Sequence, residues 1–227
     1  MSVPVVTVDG TAGSGKSTLG RRLALALGLP FIDTGLFYRA VTAAAVKAGL
    51  DEADVGEIAR LAAHLSIEVN TDPSDDSWHV RIDGADPGSE IRDPRHTALL
   101  TAIGRMSNVR LLLLPLQRAP AAGGGVAVGR DCGTVVFPDA AVKLYLDAAA
   151  SLRAARRAAQ LESQGSAIDA DTLHSSIVRR DQVDAPALAA APGAVIIDTG
   201  LHGIDEMVDL ALSHCAAAGL GAPGRPG

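Results

Sequence analysis

Eight consecutive residues, Gly10-Thr11-Ala12-Gly13-Ser14-Gly15-Lys16-Ser17, carry the clearest chemistry in the chain. Glycines at this spacing let backbone N–H groups turn inward around phosphate oxygens, and a helix starting at the lysine presents its positive end to them. Lys16 would extend toward the β- and γ-phosphates of a nucleotide. The Ser17 hydroxyl would ligate a Mg2+ ion bridging them, and Thr18 would support the helix start. GTPases, ATPases and small-molecule kinases share such a loop, so it identifies a nucleoside triphosphate site and leaves the acceptor open.

A second group of residues carries charge at positions where it could meet a ligand. Asp9, Asp33, Gly129-Arg130-Asp131 and Asp147 all fall at the ends of apolar segments. Arg153, Arg156 and Arg157 form the densest basic cluster, at helical spacings that put at least two on one face. A solvated helix face explains that spacing as well as a mobile lid does. In the lid reading, Arg153 or Arg157 closes onto a transferring phosphoryl group and stabilises charge on its equatorial oxygens.

The elements that must hold these residues follow from periodicity. Val3 to Asp9 reads as a buried parallel strand and Lys16 to Leu27 as a helix stopped by Gly28-Leu29-Pro30. Phe31-Ile32-Asp33 reads as a short strand, followed by helices over Leu36 to Lys47 and Val55 to His64. Ser66 to Val69 and His79 to Ile82 suggest an inserted hairpin. Helices are expected from about Arg95 to Met106 and from Asn108 to Arg118, the second bent at Pro115, which lacks a backbone donor. Val126-Ala127-Val128, Val142 to Leu146 and Ala194 to Ile197 supply further strands. Ser151 to Gln164, Asp171 to Asp184 and Ile204 to Ala217 supply helices. This alternation predicts an α/β fold in three layers, its mainly parallel five-stranded sheet binding ligands beyond the strand C-termini. The tail, residues 218–227, is expected to be disordered.

The chain has 227 residues and a formal net charge of −6, from 20 basic and 26 acidic residues. That balance argues against a broad nucleic-acid-binding surface and points to small-molecule partners. No apolar run reaches the roughly 20 residues of a membrane-spanning helix. The N-terminus lacks a basic, cleavable leader pattern, so a cytoplasmic location is expected. Two cysteines, Cys132 and Cys215, are too few for a disulfide framework and lack zinc-ligand spacing.

Three stretches together resemble the bacterial cytidylate kinases, of the nucleoside monophosphate kinase family. They are Asp33-Thr34-Gly35-Leu36-Phe37-Tyr38-Arg39, then Val109-Arg110 with Gln117-Arg118, then Gly129-Arg130-Asp131-Cys132-Gly133-Thr134-Val135-Val136-Phe137-Pro138-Asp139-Ala140. The resemblance spans roughly residues 3 to 217. It implies a P-loop core over 1–33 and 121–217, an acceptor-binding insertion over 34–120 and a short helical lid over 151–169. The implied activity is ATP- and Mg2+-dependent phosphorylation of CMP or dCMP by a monomer. It further implies that Arg39 and Arg130 grip the acceptor phosphate, that Thr101, Arg110 and Asp131 contact cytosine, and that Arg180 and Asp184 face the sugar. Asp33 and Thr34 would belong to the same acceptor site. A guanidinium fork matches phosphate oxygens, and a carboxylate can accept from the amino group that separates cytosine from uracil. Read singly, Asp33 also suits a helix cap, Arg110 a surface charge and Asp131 a structural ion pair.

The chain departs from the family pattern after Arg180-Asp181-Gln182-Val183-Asp184, where Ala187 stands in place of an arginine; Thr34 and Thr101 replace serines. Losing such an arginine costs about 1.5–3 kcal/mol of binding, one to two powers of ten in affinity. Either another arginine compensates, or the acceptor is a modified cytidylate. A nucleotide-binding regulatory protein without catalysis is the alternative of a different class.

Overall fold

The computed structural model describes residues 4–75, 77–163, 170–184 and 189–221. Strand β1, Val5–Gly10, is valine-rich and buried at all six positions, as a strand covered on both faces must be. Helix α1, Lys16–Leu27, lays Leu19, Leu23, Ala24 and Leu27 against the sheet and ends at Gly28, whose φ of 63° forms a left-handed cap. Strands β2 (Phe31–Asp33), β5 (Gly125–Val128), β6 (Val142–Asp147) and β7 (Val195–Asp198) complete a parallel sheet in the order β2-β5-β1-β6-β7. With β1 central, its exit loop lies between the exits of β5 and β6, where parallel sheets place their ligands. Helix α8, Ile204–Ala217, packs beside α1 on the same core, which includes Val6, Val8, Leu144, Leu146 and Ile197.

Between β2 and β5 the chain builds a second core. Helices α2 (Gly35–Lys47) and α3 (Val55–His64), the antiparallel hairpin β3 (Ile67–Thr71) and β4 (Trp78–Ile82), and helices α4 (Thr97–Arg105) and α5 (Ser107–Arg118) surround Leu36, Phe37, Val41, Ile58, Ile103 and Leu113. Every buried residue of this cluster lies between Leu36 and Leu113. The Thr71 hydroxyl donates to the Phe31 carbonyl and so ties the hairpin to β2. Helices α6 (Ala150–Ser163) and α7 (Ala170–Asp184) pack on each other after β6.

The five-stranded parallel sheet and the hairpin match the expectations from periodicity, with shifts of one or two residues at most ends. The expected bend at Pro115 does not interrupt α5, which continues to Arg118. Proline frees the carbonyl four residues back, that of Leu111, and Leu111 is 68% exposed, so water can satisfy it. The sharp turn of this region is the 91° bend at Met106, between α4 and α5. No single helix among the described residues is long and apolar enough to cross a membrane. Residues 164–169 of the expected lid, position 187, and residues 222–227 of the expected tail lie outside the described residues.

Candidate active site

The phosphate loop begins where β1 ends. Gly10 has φ 144°, and a Cβ there would sit 2.3 Å from the Leu146 carbonyl oxygen, so only glycine lets β1 turn beside β6. Gly15, at φ 95°, faces space with no heavy atom within 4 Å of a notional Cβ. The buried hydroxyls of Thr11 and Ser14 have no hydrogen-bond partner among the described residues. Lys16 Nζ donates to the Thr11 carbonyl at 2.5 Å, folded over its own loop, and the Ser17 and Thr18 side chains are exposed at the start of α1. Open space, orphaned hydroxyls and a lysine beside them make a cradle for an anion.

Asp9 joins this loop to the next. Its Oδ1 accepts the Cys132 N–H and its Oδ2 the Gly133 N–H, each at 2.7 Å. Burial raises its pKa above the usual carboxylate value, and the two N–H groups oppose that rise. The segment so held, a single π-helical turn over Cys132–Val136, directly follows Arg130 and Asp131. Burial also pushes the Cys132 thiol far up, so it stays protonated; both cysteines are free and buried.

Beyond the loop lies a cavity of about 600 Å³ lined by Lys16, Ser17, Asp33, Thr34, Arg39, Thr101, Arg110, Arg130 and Asp131. Nine residues expected from sequence, drawn from five separate segments, thus meet in one cleft. Arg110 pairs with Asp131 and donates to the Gly104 carbonyl at 3.1 Å. Burial works against the Arg110 charge, but Asp131 and Tyr38 beside it leave its pKa raised. Thr34 donates to the Val128 carbonyl at 2.9 Å, fastening α2 to β5. Thr101 donates to the Thr97 carbonyl at 2.9 Å, one turn back on α4. Asp33 Oδ1 accepts the Gly35 N–H at 3.0 Å and caps α2, while burial raises its pKa against the pull of Arg92, Arg39 and Lys16. Arg39 is shifted the other way, its charge disfavoured by burial and then by Arg92, Arg157 and Arg130 nearby, with Asp33 opposing.

The three arginines of α6 separate into different places. Arg153 is 3% exposed and lies under the phosphate loop. It donates from Nε to the Ala148 carbonyl (3.0 Å), from Nη1 to the Ala12 carbonyl (3.3 Å) and to Asp181 through both terminal nitrogens. Arg156 holds Thr199 by its hydroxyl and its carbonyl, each at 2.8 Å. Arg157 is exposed and lies within electrostatic reach of Arg39. Arg180 and Asp184 fall on the last turns of α7, and their side chains are outside the described residues. Sequence reasoning missed Tyr38, Arg92 and Arg105, which also line the cavity. Tyr38 and Arg105 stand in recognisable helices beside expected residues, whereas Arg92 ends a short 3-10 turn with no periodic signal.

A phosphate loop at the centre of a parallel sheet, facing a cleft ringed by guanidinium groups, defines the class: a P-loop phosphotransferase. The chain belongs to the cytidylate kinase family, whose model matches residues 6–217. It is similar to cytidylate kinases of Pelotomaculum thermopropionicum (40% identity, 95% of this chain and 97% of the relative) and Mycobacterium avium (42%, 91% and 94%). A third, from Symbiobacterium thermophilum, is 38% identical over 93% of this chain and 95% of its own.

Proposed function

We propose that this protein transfers the γ-phosphoryl group of ATP to CMP or dCMP, forming ADP and CDP or dCDP. The observation that carries the reading is the shared cavity: donor groups Lys16 and Ser17 and acceptor groups Arg39, Arg130 and Asp131 line one space. ATP occupies the Gly10–Ser17 loop, with Thr11 and Ser14 turned to its phosphates and Lys16 released from Thr11 toward them. An oxygen of the acceptor phosphate attacks the γ-phosphorus, and the bond to the β–γ bridging oxygen breaks as ADP leaves. No general base is required, because the nucleophile is already an anion, and alignment and charge neutralisation carry the rate. Arg39 and Arg130 hold the acceptor phosphate; Thr101, Arg110 and Asp131 read the cytosine; Arg180 and Asp184 face the sugar. Arg157 is the lid arginine that reaches the transferring group, since the Arg153 guanidinium is held beneath the loop. The exposed Ser17 hydroxyl and the Asp33 carboxylate across the cleft suit Mg2+, which when bound neutralises charge on the β- and γ-phosphates.

In this reading residues 1–33 and 121–217 form the P-loop core, 34–120 the acceptor-binding insertion and 151–169 the lid. The enzyme works as a cytoplasmic monomer on small-molecule partners, without nucleic acid or membrane. Incubating the protein with ATP and Mg2+ against CMP, dCMP, UMP and sugar-modified cytidylates, and following ADP, tests it. CMP and dCMP should turn over, and Lys16→Ala should abolish turnover with the circular dichroism spectrum unchanged. Near-normal Lys16→Ala activity would reject the phosphate site. Turnover of a modified cytidylate alone would narrow the acceptor in the direction that Ala187 suggests.

A further inference from the structure

Asp9 is buried at the last position but one of β1, immediately before the phosphate loop, and it does not line the cleft. A buried carboxylate is costly unless hydrogen bonds replace its water, and N–H donors to a charged oxygen do so well. Both oxygens of Asp9 serve one target, the Cys132 and Gly133 N–H groups that open the π-helical turn. Arg118 of α5 holds the other end of that turn, donating from Nε to the Val136 carbonyl at 2.7 Å and from Nη2 to the Val135 carbonyl at 3.0 Å. The Asp131 carbonyl accepts the Val135 and Val136 N–H groups at 2.9 and 3.2 Å, so Asp131 is itself part of the clamped unit. Arg130 directly precedes it. Single π-helical turns are rare and concentrate at functional sites. The approach to β1 is close: a Cβ on Gly133 would lie 2.9 Å from Thr7 Oγ1 and 3.2 Å from Asp9 Oδ2.

We propose that Asp9 is a positioning residue for the acceptor and not for the donor loop it adjoins: by fixing the first N–H groups of the turn it sets where Arg130 and Asp131 stand in the cleft. Its effect reaches the ligand through the backbone, since two bonds from one planar carboxylate fix both the height and the tilt of the turn above β1. Sequence position alone argues the opposite. A residue next to Gly10 that merely shaped the phosphate loop would, when altered, weaken ATP first. The hydrogen bonds all run the other way, to the segment that carries the acceptor groups. The inference rests on the reading of Arg130 and Asp131 as acceptor groups, and its first test requires no turnover.

Asp9→Asn keeps the size of the side chain but sets an NH2 group against one of the two N–H donors, so one bond is lost. Titration calorimetry should then show the Kd for CMP raised about tenfold or more, with the Kd for ATP within twofold of wild type. In steady-state kinetics the preference for CMP over UMP should shrink, because Asp131 no longer stands squarely at the cytosine amino group. Gly133→Ala leaves the carboxylate in place and displaces its target. It should give the same split between CMP and ATP, and the double variant should lose little more than either single one. Arg118→Gln, at an exposed position, loosens the turn from its far end and should raise the Kd for CMP by a smaller factor. That variant keeps the test decisive if urea unfolding shows either interior variant to be unfolded. ATP affinity falling as far as CMP affinity in Asp9→Asn, or CMP affinity unmoved in every folded variant, overturns the proposal. If wild type binds ATP but not CMP, the function reading falls and the proposal with it; CMP binding that the variants leave intact removes the positioning role alone.

Discussion

Four of the five N–H groups on the Arg153 guanidinium are committed, two of them to a carboxylate from another helix. A side chain so occupied acts on the reaction through the loop it supports, and Gly13 packs directly on its Cβ. Arg157, one helical turn further along α6, is exposed and so within reach of a ligand in the cleft. Arg153→Ala should therefore lower unfolding stability by the lower end of about 3–5 kcal/mol, since it strands a carboxylate that remains a quarter exposed. Arg157→Ala should lower kcat by roughly a hundredfold or more and leave stability within about 0.5 kcal/mol of wild type. Urea unfolding and steady-state kinetics on the two variants decide it, and equal losses of stability would sink the distinction. Sequence spacing put at least two of the arginines on one helix face, but did not say which one is buried. That depended on Asp181, 28 residues away on α7. The Gly10–Ser17 loop was legible because its parts are contiguous. Asp9 as a clasp was not, because its partners are backbone N–H groups 123 and 124 positions on.

At the scale of elements, the phosphate loop is only as well aimed as the contact between α1 and the sheet. Gly20 makes that contact close: a Cβ there would come within 2.3 Å of Val128 Cγ1 and 3.1 Å of Phe31 Cε2. Gly20→Ala gains helix propensity worth up to about 1 kcal/mol but must push α1 away from β5. Overpacking of this kind costs about 1–3 kcal/mol, so the net effect should be destabilising. The displaced helix carries Lys16 and Ser17, and the KM for ATP should rise more than that for CMP. A stabilised Gly20→Ala protein with both KM values unchanged would show that α1 is less tightly constrained than its packing indicates. Strands and most helices could be read from valine-rich runs and 3.6-residue periodicity, because each pattern is local. The 91° angle at Met106 could not, since it depends on how the two helices pack and not on the pattern within either.

For the whole molecule, charge is distributed against its total. The net charge is −6, yet the cleft gathers Lys16, Arg39, Arg92, Arg105, Arg110 and Arg130 around two carboxylates, Asp33 and Asp131. The cleft lies between two hydrophobic cores, one in the sheet layers and one within residues 36–113. A ligand that satisfies both walls must therefore stabilise the two together. At 100 times its Kd a ligand adds about 2.7 kcal/mol. In a chain of this size each kcal/mol moves Tm by about 2–4 °C, so saturating CMP should raise Tm by roughly 5–10 °C. Salt should erode this shift selectively. Between about 0.1 and 1 M the Debye length falls from about 10 Å to about 3 Å, below the separation of charges across a nucleotide-sized cleft. Thermal melts with CMP, with cytidine and with neither, at both salt concentrations, separate the charge contribution from the packing of the base. The cytidine shift should be small and nearly independent of salt, and the CMP shift large and reduced at high salt. A CMP shift that survived 1 M salt intact would mean that the base and sugar, and not the ring of guanidiniums, draw the acceptor into the cleft.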